Sequence, residues 1–409
     1  MSIEKINIIR FSFALLFVGF ILVLFLNHSV ESTIVPPGIN IEKQYKPSQG
    51  IQIITSKLDS IVQHDFDSAR LVGAAITVVQ DSHIVYQKPF GVKECDGNDS
   101  VSTHTLFRLA SVSKGFAGIL SGLMAEKGVI DLKNKVHHTL PDFQLKDSLN
   151  TKDLTIEHLL NHTSGLVPHS YDNLIEDGLK MKQILPMLNQ VDISAPPGKL
   201  YGYQNVVFSL IDTILELKTS QSYSSLLRKK IFEPLKMYDA SASYDAFLIY
   251  PDKASPHGRN GRGFVKLKYN NRYYHSALPA AGVNASISDL SKWLIALLGN
   301  NPKIISQSTL DTVFSPRIKT PLRYHYFRQW DKIDNKYYGL GWRVIDYKGK
   351  RIIYHGGYVK GYKCEIAICP SDKVGIAYVT NSPGRESSTW IPSFFNLLTK
   401  QQKGSLSTS

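Results

Sequence analysis

The alternation of hydrophobic and polar positions predicts strands towards both ends of the chain and helices between them. Apolar residues recur at helical spacing from Ile51 to Phe66, and two β-rich runs around a polar turn follow from Gly73 to Tyr86. The pattern is mainly helical from Ser111 to about Ala240. Short strands return between Tyr337 and Thr380, and a closing helix is predicted from Trp390 to Leu398.

This order of elements predicts a layered α/β fold. Residues 51–105 and 255–400 together form a sheet domain, and an all-helical part, residues 106–254, is inserted between them. Such a layout places a cleft between the layers, with Ser111 at its boundary. The polar tail, residues 401–409, is expected to be disordered.

The first 50 residues have a different pattern from the rest of the chain. Lys5 and Arg10 precede the largely apolar stretch Phe11–Leu26, and this arrangement directs the following chain out of the cytoplasm. The stretch fits an uncleaved single-span anchor, which is the interpretation we favour, or the apolar core of a cleaved signal peptide. We expect residues 1–10 to be cytoplasmic, residues 27–50 to be a linker, and the catalytic part to lie on the periplasmic or extracellular face.

Composition allows a substantial core and gives little support for nucleic-acid binding. The chain has 409 residues and is 43% hydrophobic. A formal net charge of +13 would suit a nucleic acid or an anionic membrane surface. However, the basic residues are dispersed apart from one stretch, Arg259 to Lys268, and no nucleic-acid motif accompanies them. We therefore expect no nucleic-acid partner, and we expect a monomer.

The cysteines and histidines indicate packing rather than metal binding. Cys95, Cys364 and Cys369 cannot all pair within the chain, and no spacing typical of zinc is present. Cys364 and Cys369 are an odd number of positions apart in a predicted strand, so their side chains would face opposite sides. His158 and His162 are one helical turn apart, but no third ligand is evident. We expect no metal and no cofactor.

A serine and a lysine, Ser111 and Lys114, stand three positions apart at the start of the central helical run. In a helix the two side chains lie on one face. A hydroxyl becomes a good nucleophile when a base takes its proton, and a lysine can be that base when burial or nearby cations lower its pKa. The pair indicates an activated serine, although a helix start with a surface lysine has the same spacing.

Two segments further along the chain would complete such a site. Tyr203 and Asn205 follow a Pro-Gly turn, and His355, Gly356 and Gly357 lie in a strand-like run. About 90 residues separate the first two motifs, and about 150 separate the second from the third.

The ordered motifs Ser-x-x-Lys, Tyr-x-Asn and His-Gly-Gly resemble those of the serine β-lactamases and penicillin-binding proteins. In spacing and surroundings the chain resembles the class C branch, with its D-alanyl-D-alanine carboxypeptidase and esterase relatives. Supporting phrases lie at residues 155–166, 278–283 and 338–342. The resemblance covers roughly residues 50–400.

The resemblance implies a fold and a set of roles. The fold would be β-lactamase/transpeptidase-like: an antiparallel sheet flanked by helices, an inserted helical domain, and the active site in the cleft between them. Ser111 would attack a carbonyl carbon to give an acyl-enzyme, while Lys114 and the Tyr203 phenol share the proton transfers. Asn205 would hold Lys114 and a substrate amide.

The resemblance also implies an oxyanion hole formed by the backbone N–H groups of Ser111 and Tyr358. Gly356 and Gly357 would then let a substrate backbone approach that strand closely.

The third motif departs from the family pattern, because class C β-lactamases carry Lys-Thr-Gly where this chain has His355-Gly356-Gly357. Lysine is a fixed cation for the β-lactam carboxylate, whereas an unperturbed histidine is mostly neutral at pH 7. We therefore expect His355 to bind the carboxylate only weakly, and better at low pH. Arg385 would supply the missing positive charge, or would be a solvated loop residue.

The predicted function is that of a serine acyl hydrolase acting on β-lactams or D-alanyl-D-alanine-type peptides. Two alternatives stay open. One is an esterase or D-amino-acid peptidase on the same site, and the other is a non-hydrolytic penicillin-binding sensor that remains acylated. The expected partners are a small-molecule or peptide substrate and, through the N-terminal segment, a membrane.

Overall fold

The computed structural model describes residue 45, residues 47–321 and residues 327–406. The predicted anchor or signal segment, residues 11–26, and most of the predicted linker lie outside this part of the chain. Within the described ranges, no helix is both long and apolar enough to cross a membrane. The described residues from Pro47 onward form one compact unit.

An antiparallel sheet dominates the structure, as the resemblance implied. The strands in the described residues are β1 Gly73–Gln80, β2 His83–Gly91, β3 Phe107–Arg108, β4 His257–Asn260, β5 Gly263–Lys266, β6 Asn284–Ala285, β7 Ile318–Lys319, β8 Ile333–Tyr338, β9 Arg343–Tyr347, β10 Lys350–Val359, β11 Tyr362–Cys369 and β12 Val374–Thr380. Eight of them form one sheet in the order β2-β1-β12-β11-β10-β9-β8-β7. The N-terminal hairpin therefore completes a sheet made from the last part of the chain.

Helices cover both faces of the sheet and fill the segment between its two parts. They are α1 Gln49–Ser68, α2 Ser113–Glu126, α3 Val136–Thr139, α4 Ser148–Asp153, α5 Ile156–Leu160, α6 Asp172–Glu176, α7 Met181–Ile184, α8 Leu210–Thr219, α9 Tyr223–Leu227, α10 Tyr244–Ile249, α11 Leu278–Ala281, α12 Ile287–Ile295, α13 Gln307–Phe314 and α14 Trp390–Leu406. The predicted helical insertion thus contains many short helices.

Alternate residues of β1 face the two sides of the sheet. Ala74, Ile76 and Val78 join one core, whereas Ala75 and Val79 join the other. The first core is closed by the apolar faces of α1 and α14, which contribute Ile51, Ile54, Leu58, Val62, Ile391, Phe394, Phe395 and Leu398. The second core contains α2 and α12 and continues into the helical insertion.

Helix α2 is the central helix of the described structure. Every residue from Ser113 to Met124 is buried, which is the pattern of a helix packed on all sides. A Cβ on Gly118 would overlap the carbonyl oxygen of Leu340, so a larger residue could not bring α2 this close to the loop before β9. This packing fixes the N-terminus of α2 against the sheet.

Two details at the C-terminal end test the sequence predictions. The helix predicted to end at Leu398 continues to Leu406, so the expected disordered tail is wrong as far as residue 406. The physical reason is packing, since Gln401 is half-buried and its Cγ would lie 3.8 Å from a Cβ built on Gly50 at the start of α1. Cys364 and Cys369 lie in different cores on opposite sides of the sheet, as predicted, and both are free thiols.

Candidate active site

Ser111 lies in a single 3-10 turn, Ala110–Val112, that leads directly into α2. Ala110 has a φ of 48°, a left-handed conformation that costs a non-glycine residue on the order of 1 kcal/mol. The turn is anchored where the Leu109 N–H donates to the Val283 carbonyl at 2.9 Å. It holds the partly exposed Ser111 at the edge of the cleft.

Lys114 is fully buried beneath this serine, with 0% of its surface exposed. Its Nζ donates to Asn205 Oδ1 at 2.7 Å and to the Ala280 carbonyl at 3.0 Å, and it lies 3.5 Å from Ser111 Oγ. A neutral amine has two N–H donors and one lone pair. With both donors engaged, the lone pair remains available to the Ser111 hydroxyl.

Burial lowers the pKa of Lys114 well below its usual range, because it penalises the charged form. The carboxylate of Asp172 opposes this effect, and the guanidinium of Arg343 adds to it. A lysine whose pKa is lowered gives up its proton more readily and can act as a base.

Tyr203 lies against the same amine. The Lys114 Nζ is 4.7 Å from the centroid of its ring, and the Arg343 guanidinium carbon is 5.6 Å from that centroid. The ring of His162 packs on it at 4.3 Å. The Lys114 amine and the Arg343 guanidinium thus flank the Tyr203 ring, which suits the predicted role of Tyr203 in proton transfer.

A cavity of about 250 Å³ connects these groups. Its walls are formed by Ser111, His169, Asp172, Tyr203, Asn205, Tyr273, Ala281, Arg343, Gly356 and Tyr358. Five residues proposed from the sequence therefore share one pocket. Lys114 lies behind the serine.

Gly357 has a different role from the one expected. A Cβ at this position would overlap the Leu109 carbonyl oxygen and lie 2.8 Å from the Ser111 amide nitrogen. The absence of a side chain at Gly357 therefore lets the serine turn, Ala110–Val112, pack closely against β10. Gly356 and Tyr358, on either side of it, face the cavity. The close approach brings β10 beside the Ser111 amide, as the predicted oxyanion hole requires.

Replacing Gly357 with alanine is expected to separate β10 from the serine turn. We expect an overpacking cost of about 2 kcal/mol and a fall in the acylation rate of roughly a hundredfold, the effect of losing one oxyanion donor. Thermal unfolding and the rate of covalent labelling measure the two effects. Gly97→Ala is the matched control, because no atom lies closer than 3.5 Å to a Cβ there. Unchanged labelling of Gly357→Ala would contradict the assignment.

His355 does not face the cavity, and the prediction that it binds a substrate carboxylate is not supported by its position. The residue has 0% exposure, and burial, with Arg343 and Lys114 nearby, lowers its pKa well below the usual range. A histidine in this environment remains neutral and cannot serve as a titrating cation at the substrate.

Instead, His355 belongs to a buried chain of hydrogen bonds. Its Nδ1 lies 2.9 Å from the Gly356 carbonyl and its Nε2 lies 2.9 Å from the Tyr338 hydroxyl. The same hydroxyl lies 3.2 Å from His162 Nε2, and His162 Nδ1 accepts from the Gln204 N–H at 3.2 Å. These partners fix both tautomers: each hydroxyl or ring N–H donates to the next group along the chain. The chain ties β10 to the loop that carries Tyr203.

Arg385 is not brought to the site either. It is exposed in the loop after β12 and does not line the cavity. The cation that does line it is Arg343, at the start of β9 and only 6% exposed. Arg343 was missed in the sequence, although an arginine followed directly by the apolar pair Val344 and Ile345 in a predicted strand was a usable signal.

Three more residues of the cavity wall were also missed: His169, Asp172 and Tyr273. They lie in polar segments without a recognisable motif, so only the fold reveals that they meet Ser111.

Comparisons with known proteins identify the family of this chain. The family model described as Beta-lactamase matches residues 58–390. The chain is 26% identical over 358 residues to the unguisins hydrolase ungD' of Aspergillus campestris, covering 81% of this chain and 62% of that protein. It is 22% identical over 350 residues to protein flp of Staphylococcus aureus, covering 84% and 66%. The chain thus spans less than two thirds of the length of these relatives.

A solved structure shows the same fold. The octameric penicillin-binding protein homologue from Pyrococcus abyssi matches with a TM-score of 0.73 and 22% identity, over 84% of this chain and 76% of that one. The predicted β-lactamase/transpeptidase-like fold is therefore confirmed. Because the family model covers most of the chain and spans all three motifs, this protein belongs to the β-lactamase family.

Proposed function

We propose that this protein hydrolyses acyl substrates that carry a carboxylate near the scissile bond, through an acyl-enzyme on Ser111. The observation that carries the proposal is Arg343, a nearly buried cation in the wall of the cavity that contains Ser111. β-Lactams and peptides ending in D-alanyl-D-alanine both have such a carboxylate. A guanidinium can bind it through two parallel hydrogen bonds.

The proposed reaction begins with proton transfer from Ser111 Oγ to Lys114 Nζ, 3.5 Å away. The oxygen forms a bond to the substrate carbonyl carbon, and the backbone N–H groups of Ser111 and Tyr358 stabilise the resulting oxyanion. Lys114 and Tyr203 return the proton to the leaving nitrogen or oxygen as its bond to carbon breaks. Water then attacks the acyl-enzyme by the reverse sequence of proton transfers and releases the acid.

The test is turnover of three substrates by one preparation: a chromogenic cephalosporin, a D-alanyl-D-alanine peptide and a short-chain nitrophenyl ester. We expect the carboxylate-bearing substrates to have the higher kcat/KM. Preference for the neutral ester would favour the esterase alternative. A burst of one equivalent without turnover would favour the non-hydrolytic sensor.

Arg343→Gln is expected to lower kcat/KM for the cephalosporin by about tenfold or more, equivalent to about 1.4 kcal/mol, relative to its effect on the neutral ester. The two kcat/KM values are compared as a ratio, because Arg343 also affects the pKa of Lys114 and so changes kcat/KM for both substrates. Measurement at a pH where both profiles are flat removes that contribution. Arg385→Gln is the control, since Arg385 lies outside the cavity, and it should leave the ratio unchanged. Equal losses on both substrates would show that Arg343 does not bind the carboxylate.

A further inference from the structure

Asp172 and His169 form a hydrogen-bonded pair in the cavity wall, outside the three motifs. Asp172 is the first residue of α6, and its Oδ2 accepts a hydrogen bond from Asn205 Nδ2 at 2.8 Å. The same oxygen lies 2.7 Å from His169 Nδ1. One carboxylate oxygen therefore joins the histidine to a residue of the Tyr-x-Asn motif.

The backbone that presents this pair is strained. His169 and Tyr171 have φ values of 62° and 60°, in the left-handed region that costs about 1 kcal/mol or more for a non-glycine residue. The His169 N–H donates to the Tyr203 carbonyl at 2.8 Å, and the two rings lie 5.3 Å apart. This turn docks Asp172 onto the loop that carries Tyr203 and Asn205. Strain that is retained at such a place is typical of functional sites.

The carboxylate determines which way the Asn205 amide points. A carboxylate can only accept, so the amide nitrogen must face Asp172. The amide oxygen then faces Lys114, whose Nζ lies 2.7 Å away. If the amide were turned by 180°, its oxygen would face the carboxylate and its N–H groups would face the lysine amine.

The same carboxylate places a negative charge one side chain away from the amine. It raises the pKa of Lys114, against the lowering by burial and by Arg343. Burial keeps the two nearby imidazoles neutral by lowering the pKa of His162 and of His355. Among the described residues, the titratable and charged groups near Lys114 or Asp172 include Arg343, His162, His355, Tyr203, His169 and Tyr273.

We propose that Asp172, held by His169, is a positioning residue for acylation, which locks the Asn205 amide towards Lys114 and sets the balance of charge at the base. The inference rests on the proposed function, because it requires Lys114 to take a proton from Ser111. The proposal adds to the site two residues, Asp172 and His169, that lie outside the three motifs.

Asp172→Asn tests the charge, because asparagine keeps an acceptor for Asn205 while removing the negative charge. The rising limb of the kcat/KM profile reports loss of the proton from the base, Lys114, whose Nζ lies 3.5 Å from Ser111 Oγ. Without the carboxylate Lys114 loses its proton more easily, and the limb on a neutral nitrophenyl ester should move to lower pH by about one unit. Arg343→Gln should move the same limb to higher pH, since it removes a positive charge.

Two further variants distinguish the effect of the position of the Asp172 carboxylate from the effect of its charge. Asp172→Glu keeps the charge but displaces the carboxylate, so it should leave the limb in place and lower the plateau of kcat/KM by about tenfold. Asp177→Asn removes an exposed carboxylate just beyond α6 and should change neither. A merely structural role for Asp172 would lower activity and the unfolding temperature without moving the limb.

Covalent labelling of Ser111 distinguishes the two possible failures. If wild-type Ser111 is not labelled by a fluorescent penicillin or a fluorophosphonate, the proposed function fails, and this inference fails with it. If labelling is normal and Asp172→Asn does not move the limb, only this inference is overturned.

Discussion

Ser111→Ala is expected to abolish covalent labelling by a fluorescent penicillin or a fluorophosphonate and to lower kcat/KM by at least about 10⁴-fold. Within the cavity wall, the Ser111 Oγ is the hydroxyl that lies beside a buried amine, 3.5 Å from Lys114 Nζ. Removing the nucleophile of such a site leaves only binding and oxyanion stabilisation, which accounts for the size of the loss. The unfolding temperature should hardly change, because a partly exposed hydroxyl contributes little to stability.

Ser113→Ala is the matched control for this variant. Ser113 is fully buried, and its Oγ accepts a hydrogen bond from the Val283 N–H at 2.9 Å. Its loss should lower stability by about 1 kcal/mol while labelling persists. Mass spectrometry locates the adduct. An adduct on Ser113, or labelling that survives in Ser111→Ala, would show that the nucleophile is misassigned.

His355→Lys is expected to destabilise the protein by about 3 kcal/mol or more, and not to improve cephalosporin turnover. The new ammonium would lie at a fully buried position, near Arg343 and Lys114, where the neutral imidazole accepts from the Tyr338 hydroxyl. A buried charge that lacks an acidic partner carries a cost of this order. Such a lysine would have a lowered pKa in the folded state, so the unfolded state would bind more protons and the loss should shrink as pH rises towards 10.

His355→Gln is the comparison for this variant. A glutamine can accept from Tyr338 without introducing charge, so it should cost less than lysine at every pH below about 10. Urea denaturation at pH 6, 8 and 10 measures the difference. Equal destabilisation by both variants at all three values would contradict a buried neutral histidine, and faster cephalosporin turnover by His355→Lys would restore its role at the substrate.

Some features of the site could be predicted from the sequence and others could not, because only contacts between residues close in the chain leave a recognisable sequence pattern. The two β-rich runs around a polar turn correctly predicted the hairpin of β1 and β2, since that pattern depends only on local sequence. The Ser111 and Lys114 pair was visible for the same reason, because three positions in a helix form one face. Burial of His355 was not visible, because it depends on Tyr338 and His162, which reach it from separate parts of the chain.

The position of Arg343 in the cavity could not be predicted from the sequence either. It enters the cavity only because β9 pairs with β10 and places Arg343 opposite Tyr354. No local pattern specifies that register. The contact between Asp172 and Asn205 is more distant still, since it spans 33 positions that contain short helices and loops. Motifs identify the groups that are proposed to react. The groups that orient them and alter their electrostatic environment are brought to the site by tertiary packing.

The position of β1 in the sheet has a consequence for how the chain must be made. β1 pairs with β12, with Ala74 opposite Thr380, so the first strand has no partner on that side until residue 380 has been synthesised. Closing so long a loop is slow, and an apolar strand left waiting is prone to aggregate. The serine turn packs on β10, which is synthesised long after it. An emerging chain therefore cannot assemble the cavity around Ser111 until β10 has been made, and its first hairpin lacks β12 for longer still.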